Sequence, residues 1–126
     1  MAATSTLGER PLPLHRLLSG PHDAFASLIL AHGAGAAMDS ASMNAMAAAL
    51  AEAGFRVARF EFAYMAARRE GSRKPPPKAE FLCGEYLAAI DALALPGPLF
   101  VGGKSMGGRV ASLVADRLHG EARIAG

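Results

Sequence analysis

A sharp turn between a strand and a helix constrains the fold of this chain more than any other feature. The apolar run Leu99–Gly102 leads directly into Gly103-Lys104-Ser105-Met106-Gly107. Apolar residues then recur at helical spacing, at positions Val110, Leu113, Val114 and Leu118. A side chain at Gly103 or Gly107 would collide across so tight a turn. The pattern G-x-S-x-G in this setting is a nucleophile elbow, which presents a serine hydroxyl at the top of a sheet, so Ser105 is the candidate catalytic nucleophile.

Two other interpretations of this turn exist. The serine could simply cap the helix that follows. The letters Gly103-Lys104-Ser105 also match the end of the phosphate-binding loop G-x-x-x-x-G-K-[ST], but Pro98 stands where that loop needs its first glycine. The residues between them, Leu99–Val101, are typical of a buried strand rather than of a phosphate cradle. We expect no cofactor and no metal site.

A second loop complements the first. The apolar run Phe25–Ala31 has the length of a strand and is followed by His32-Gly33-Ala34-Gly35. An acyl-transfer serine needs two backbone N–H groups directed at the negative charge that develops on the substrate oxygen. In folds with a nucleophile elbow, one N–H comes from the residue after the serine and the other from a loop of this kind. We predict that the amides of Ala34 and Met106 form this oxyanion hole.

The remaining residues of the second loop shape it. Gly33 and Gly35 allow the backbone to approach a substrate closely, and His32 is interpreted as holding the loop in shape rather than as a base. An ordinary strand-to-helix loop would also fit these letters. A third interpretation is the dinucleotide-binding pattern G-x-G-x-x-G, with Glu61 near the position of a ribose-binding acid, but Met38 occupies the third glycine position.

Three blocks of sequence resemble the α/β-hydrolase superfamily, namely Leu28–Gly35, Arg59–Met65 and Gly102–Gly108. The middle block and the lysine inside the elbow resemble the bacterial subgroup related to dienelactone hydrolases and testis-expressed hydrolase-like proteins. The resemblance covers roughly residues 25–126 and concerns the N-terminal part of that fold. It implies a mostly parallel sheet with helices on both faces, and a serine hydrolase acting on an ester or similar acyl substrate.

The alternation of strands and helices independently predicts an α/β fold with a parallel sheet. A chain of 126 residues allows one domain at most. Residues 25–126 are predicted to form the sheet core, and residues 1–24 an N-terminal extension or an edge strand. The predicted strands are 25–31, 55–62, 99–102 and the beginning of one at 123–126. The predicted helices begin at Asp39 or Ser40, near Phe81, and after the elbow.

The segment from Tyr64 to Lys78 differs in composition from the rest of the chain. It contains five basic residues and one acidic residue, and three prolines at 75–77 near its end. We predict a loop, extended where the prolines lie. It is either a solvated surface or a rim that attracts anionic substrates to the site.

Overall composition excludes several classes of protein. A formal net charge of +2 is too small to indicate a nucleic-acid-binding protein. No apolar stretch is long enough to cross a membrane, and because residues 1–20 lack the continuous apolar core of a signal peptide, we expect none there. Since the one cysteine, Cys83, cannot form an internal disulfide, a reducing cytoplasm is the expected location. The expected partner is a small-molecule acyl substrate.

The base and the acid of a catalytic triad are not evident in the sequence. After Ser105 the only histidine is His119 and the only acids are Asp116 and Glu121. His119 would lie roughly 20 Å from Ser105 along one helix, because each residue adds about 1.5 Å. We therefore expect a hydrolase chain truncated after the elbow helix and inactive by itself. The alternatives are a non-catalytic hydrolase-fold interaction module and a dinucleotide-binding βαβ domain.

Overall fold

The computed structural model describes residues 14–126. In this part of the chain, four strands form one sheet, and four α-helices pack beside it. The strands are β1 (Arg16–Ser19), β2 (Ser27–Ala31), β3 (Arg56–Phe60) and β4 (Leu99–Gly103). The helices are α1 (Ala41–Glu52), α2 (Ala63–Arg69), α3 (Cys83–Leu93) and α4 (Met106–Gly120), with a 3-10 turn at Ala79–Leu82.

The sheet is mixed, with strand order β1-β3-β2-β4. Strand β2 pairs in parallel with both β3 and β4, and β1 pairs antiparallel with β3. The prediction of an α/β fold with a mostly parallel sheet is therefore confirmed. For residues 1–24, the sequence predicted either an N-terminal extension or an edge strand, and β1 is an edge strand in this region. Residues 1–13 lie outside the described residues.

Side chains alternate between the two faces of the sheet, and each face is covered by helices. On one face, α1 covers a small cluster made of Leu30, Met43, Ala47 and Val57. On the other face, α3 and α4 cover a larger cluster that includes Ile29, Phe60, Tyr86, Val110 and Leu118. Each large apolar side chain buried in this way contributes about 1.5–3 kcal/mol relative to exposure. Within residues 14–126, no helix is long and apolar enough to cross a lipid bilayer.

The basic segment differs from its prediction as a loop. Its first part, with the preceding Ala63, forms α2, and residues 70–78 are without helix or strand. The carboxylate of Glu85 accepts a hydrogen bond from the Ala63 N–H at 2.7 Å and so stabilises the start of this helix. Arg68 and Arg69 lie in its last turn, where cations interact favourably with the helix dipole.

The predicted strand at 123–126 is not a regular strand in the structure. This segment nevertheless makes two backbone hydrogen bonds with β4, from Val101 N–H to the Gly126 oxygen at 2.8 Å and from Ala125 N–H to the Leu99 oxygen at 2.7 Å. Ala122 has a left-handed φ of 57° in the turn that reverses the chain after α4.

Tyr86 ties α3 to the centre of the sheet. Its buried hydroxyl accepts a hydrogen bond from the Gly102 N–H at 3.0 Å. The same hydroxyl lies 3.0 Å from the Ile29 carbonyl oxygen and 2.8 Å from that of Gly102, either of which can receive its proton. It therefore bridges β2 and β4 within two residues of their C-terminal ends, and burial raises the pKa of this phenol.

We expect Tyr86→Phe to lower the free energy of unfolding by about 1–3 kcal/mol, because the hydrogen bonds of the buried hydroxyl to β2 and β4 are lost. Urea denaturation followed by circular dichroism measures this change. Ser112→Ala is the matched control, since it also removes a hydroxyl but from an exposed residue bonded within its own helix. Equal effects of the two substitutions would contradict the bridging role of Tyr86.

Candidate active site

The two loops singled out in the sequence leave the sheet at the same end. Strands β2 and β4 are parallel neighbours, with Ala31 opposite Gly103 at their C-terminal ends. The backbone N–H of Lys104 donates to the Ala31 oxygen at 3.0 Å and continues this pairing by one residue. As a result, the loop after Ala31 lies against the elbow.

Ser105 stands in an unusual backbone conformation between β4 and α4. Its φ is 54° and its ψ is −115°, although it is not a glycine. Such conformations cost about 1–3 kcal/mol and persist only where the surrounding structure enforces them. A Cβ at Gly107 would overlap the carbonyl oxygens of Ala31 and His32, and a Cβ at Gly103 would overlap the backbone of Gly107. The turn therefore requires glycine at both positions.

Gly33 and Gly35 are different, because the protein around them leaves room for a side chain. A Cβ at Gly33 would make ordinary contacts, 3.6 Å from the Lys104 oxygen and 3.8 Å from the Ser105 Cβ. A Cβ at Gly35 would meet nothing within 4 Å. The packing of the protein therefore does not by itself require glycine at these two positions.

A cleft of about 310 Å³ separates the two loops and is lined by Gly33, Ala34, Gly35, Ala36, Lys104 and Ser105. The side chain of Ser105 is exposed in it. Among residues 14–126, neither the Ala34 N–H nor the Met106 N–H donates a hydrogen bond. The Tyr64 hydroxyl donates to the Ala34 oxygen at 2.9 Å and lies 3.9 Å from the Met106 Sδ, so one side chain contacts both residues.

His32 is buried at the start of the second loop, with both ring nitrogens occupied. Nδ1 lies 2.7 Å from the Gly33 oxygen, and Nε2 accepts a hydrogen bond from the Phe62 N–H at 3.1 Å. These partners assign the proton to Nδ1. Burial lowers the pKa of His32, which keeps the ring neutral. Neither nitrogen is free to accept a proton from Ser105, and the ring holds the loop against the end of β3.

Glu61 anchors the far end of the same loop. Its side chain is 0% exposed, and its carboxylate accepts bonds from Arg69 Nε at 2.8 Å and Nη2 at 2.5 Å. It also accepts the Met38 N–H at 3.3 Å, and His15 Nδ1 lies 3.5 Å away. Burial opposes ionisation, but the bonds from Arg69 and Met38 outweigh it and hold the pKa of Glu61 below its usual value.

Arg59 and Arg69 complete this anchor, and neither was assigned an individual role from the sequence. Arg59 donates from Nη1 to the Met38 oxygen at 2.9 Å and to the Asn44 Oδ1 at 2.6 Å. Arg69 also pairs with Asp39 at 2.8 Å. The one role that the sequence suggested for Glu61 was that of a ribose-binding acid. Since both of its oxygens are occupied inside the protein, the structure does not present it to a nucleotide.

No base stands beside Ser105 in residues 14–126, which include all four histidines of the chain. None of them is hydrogen-bonded to Ser105 within this range, and His119 lies near the opposite end of α4. His22 precedes β2 and so lies toward the opposite end of the sheet. The geometry thus brings together a strained serine, two amides without partners among the described residues and a cleft, but not a general base.

Comparison with known proteins identifies the class of this domain. A family model described as an alpha/beta hydrolase domain matches residues 24–126, which is most of the chain. No curated protein and no solved structure matches the chain at a significant level.

We expect Glu61→Gln to lower the free energy of unfolding by about 1.5–3 kcal/mol at neutral pH, the range for hydrogen bonds to a charged group. Because the pKa of Glu61 is lowered on folding, its contribution is present above the unfolded pKa of about 4.3 and is lost as the pH falls through the folded pKa. Urea denaturation across the acid range should therefore show the difference from the wild-type chain shrinking. The control, Glu52→Gln at an exposed position of α1, should stay within about 0.5 kcal/mol. A pH-independent difference for Glu61→Gln would contradict this prediction.

The two helical glycines Gly107 and Gly84 provide a test of the elbow. Gly107→Ala should destabilise the chain by about 1–3 kcal/mol or more, because its methyl group overlaps two carbonyl oxygens of the neighbouring strand end. Gly84→Ala meets nothing within 4 Å and should stabilise the chain by up to about 1 kcal/mol. Parallel denaturation curves measure both, and a neutral Gly107→Ala would disprove the close contact.

Proposed function

Because the chain belongs to the alpha/beta hydrolase domain family, we propose that Ser105 is the nucleophile of an acyl-transfer site. The amides of Ala34 and Met106 form its oxyanion hole, and the substrate is a small-molecule ester or a similar acyl compound. The observation that carries this proposal is the left-handed backbone of Ser105, which is exposed in the cleft that Ala34 also lines. A serine that only capped a helix would have no need of such a conformation, and Ser105 makes no side-chain capping bond.

The proposed chemistry follows from this arrangement. The Ser105 Oγ attacks the carbonyl carbon of the substrate, a new C–O bond forms, and the electron pair of the carbonyl double bond moves onto its oxygen. The N–H groups of Ala34 and Met106 stabilise that negative charge. When the double bond re-forms, the alcohol or other leaving group departs and the acyl group stays on Ser105. The loop that carries the Ala34 N–H is held in place before the reaction by His32 and Tyr64.

The proton of the Ser105 hydroxyl needs an acceptor in this scheme. His32 cannot serve, because Phe62 and Gly33 occupy its ring nitrogens. The residues around Ser105 therefore supply a nucleophile and oxyanion donors, and we propose that residues 14–126 by themselves hydrolyse esters no faster than background. Serine enzymes that lack triad members retain only the catalysis due to the oxyanion hole and binding.

Two finer assignments belong to the proposal. The block Arg59–Met65 indicates the dienelactone-hydrolase-related subgroup, and its Arg59, Glu61 and Tyr64 are the residues that hold the second loop. The single free cysteine, Cys83, fits a reducing compartment such as the cytoplasm.

An external base tests the nucleophile directly. The chain is incubated with 4-nitrophenyl acetate, with and without imidazole, and acetylated residues are located by peptide mass spectrometry. We expect imidazole-dependent acetylation of Ser105, because imidazole supplies the missing proton acceptor. Without imidazole, release of nitrophenol should stay at background.

Two variants control this experiment. Ser105→Ala should abolish acetylation of the elbow peptide. Ser112→Ala, which removes an exposed hydroxyl from α4, should retain it. Acetylation spread equally over exposed serines and lysines, with no preference for Ser105, would contradict the proposed nucleophile.

A further inference from the structure

Among the residues that line the cleft beside Ser105, Lys104 is the one that carries a charged side chain. Its backbone N–H is bonded to the Ala31 oxygen at 3.0 Å, so the side chain starts from a fixed point next to the nucleophile. Its ammonium group donates to the Ser42 Oγ at 2.8 Å. Ser42 is neutral, and the ion pairs within residues 14–126 do not include Lys104.

The carboxylates of the neighbouring loop have a different partner. Asp39, three residues before Ser42, pairs with Arg69 at 2.8 Å, and the same arginine binds both oxygens of Glu61. The hydrogen bond from Arg69 lowers the pKa of Asp39 and keeps that carboxylate ionised. The two acids are thus paired with Arg69, whereas the ammonium group of Lys104 has no ion pair within residues 14–126.

The basic segment does not supply the same charge to the cleft. The guanidinium of Arg69 is occupied by Asp39 and Glu61, and that of Arg68 lies 5.2 Å from the centre of the Tyr64 ring. None of the five basic residues of the segment lines the cleft. The idea of a basic rim that attracts anions is therefore better applied to Lys104 than to the segment from Tyr64 to Lys78.

Resting on the proposed function, we propose that Lys104 selects acyl substrates that carry a carboxylate. An ammonium group has three donor hydrogens, and the bond to Ser42 uses one of them. The other two can bind a carboxylate of a substrate whose carbonyl lies at Ser105. Hydrogen bonds between charged partners are shorter and stronger than those between neutral ones. Lys104 is thus a specificity-determining residue rather than a member of the reacting group.

The test compares matched esters in the imidazole-assisted acylation of Ser105. One pair places the charge on the leaving group, 4-acetoxybenzoate against its methyl ester. The other places it on the acyl group, monophenyl adipate against phenyl hexanoate. Each rate of Ser105 acylation is divided by the rate at which imidazole alone cleaves the same ester, which removes differences in intrinsic reactivity.

We expect the wild-type chain to prefer the anionic member of at least one pair. Lys104→Met should lower that preference roughly two- to five-fold, the range of an exposed ion pair, and Lys104→Arg should retain it. Arg117→Gln, which loses the same charge near the far end of α4, should also retain it. Added salt should weaken the preference, because exposed charges are screened.

The outcomes separate the two proposals. If neutral esters acylate Ser105 and the anionic-to-neutral ratio is the same in the wild-type chain and in Lys104→Met, the selectivity of Lys104 is disproved and the nucleophile stands. If Arg117→Gln lowers the ratio as much as Lys104→Met, general attraction rather than Lys104 is responsible. If no ester acylates Ser105 in any variant, the proposed function itself fails.

Discussion

The contact between the elbow and the end of β2 is the constraint on which the rest of the site depends. Gly107 packs directly on the carbonyl oxygens of Ala31 and His32, and Gly103 packs on the backbone of Gly107. Since no side chain fits at these positions, α4 can begin immediately after β4 and close to its neighbour. Ser105 is left with a positive φ and an exposed hydroxyl. The strain at one residue is thus maintained by backbone contacts on both sides of it.

The loop opposite Ser105 is held by side chains from the end of β3 and from α2. His32 and Tyr64 fix its first half, and Glu61 with Arg69 fixes its second half. Removing a carboxylate from water is costly, and the attraction of its partners offsets this only when the geometry is good. We attribute the network to the position of the loop rather than to net stability, because the proposed oxyanion donor of Ala34 would be effective only if it is in place before the reaction.

How much was predictable from the sequence varies with the range of the interactions involved. Strands β2 and β4 and helices α1 and α4 were predicted because apolar periodicity and glycine positions act over a few neighbouring residues. Helix α2 was missed, since its start is stabilised by Glu85, 22 residues away from Ala63 along the chain. The ion pair of Glu61 with Arg69 was missed as well, because spacing alone does not show which of several arginines lies beneath a loop.

The sequence by itself determined the local geometry of the elbow. It also determined that apolar side chains alternate between the two faces of the strands, so that both faces need helices to cover them. These follow from the missing side chains of Gly103 and Gly107 and from the two-residue period of a strand. Only the tertiary structure decided which polar groups meet, such as His32 with Phe62 across 30 positions and Lys104 with Ser42 across 62. The physical reason is that a hydrogen bond depends on the positions of two groups in space, and those positions exist only after the sheet has set the register of its strands.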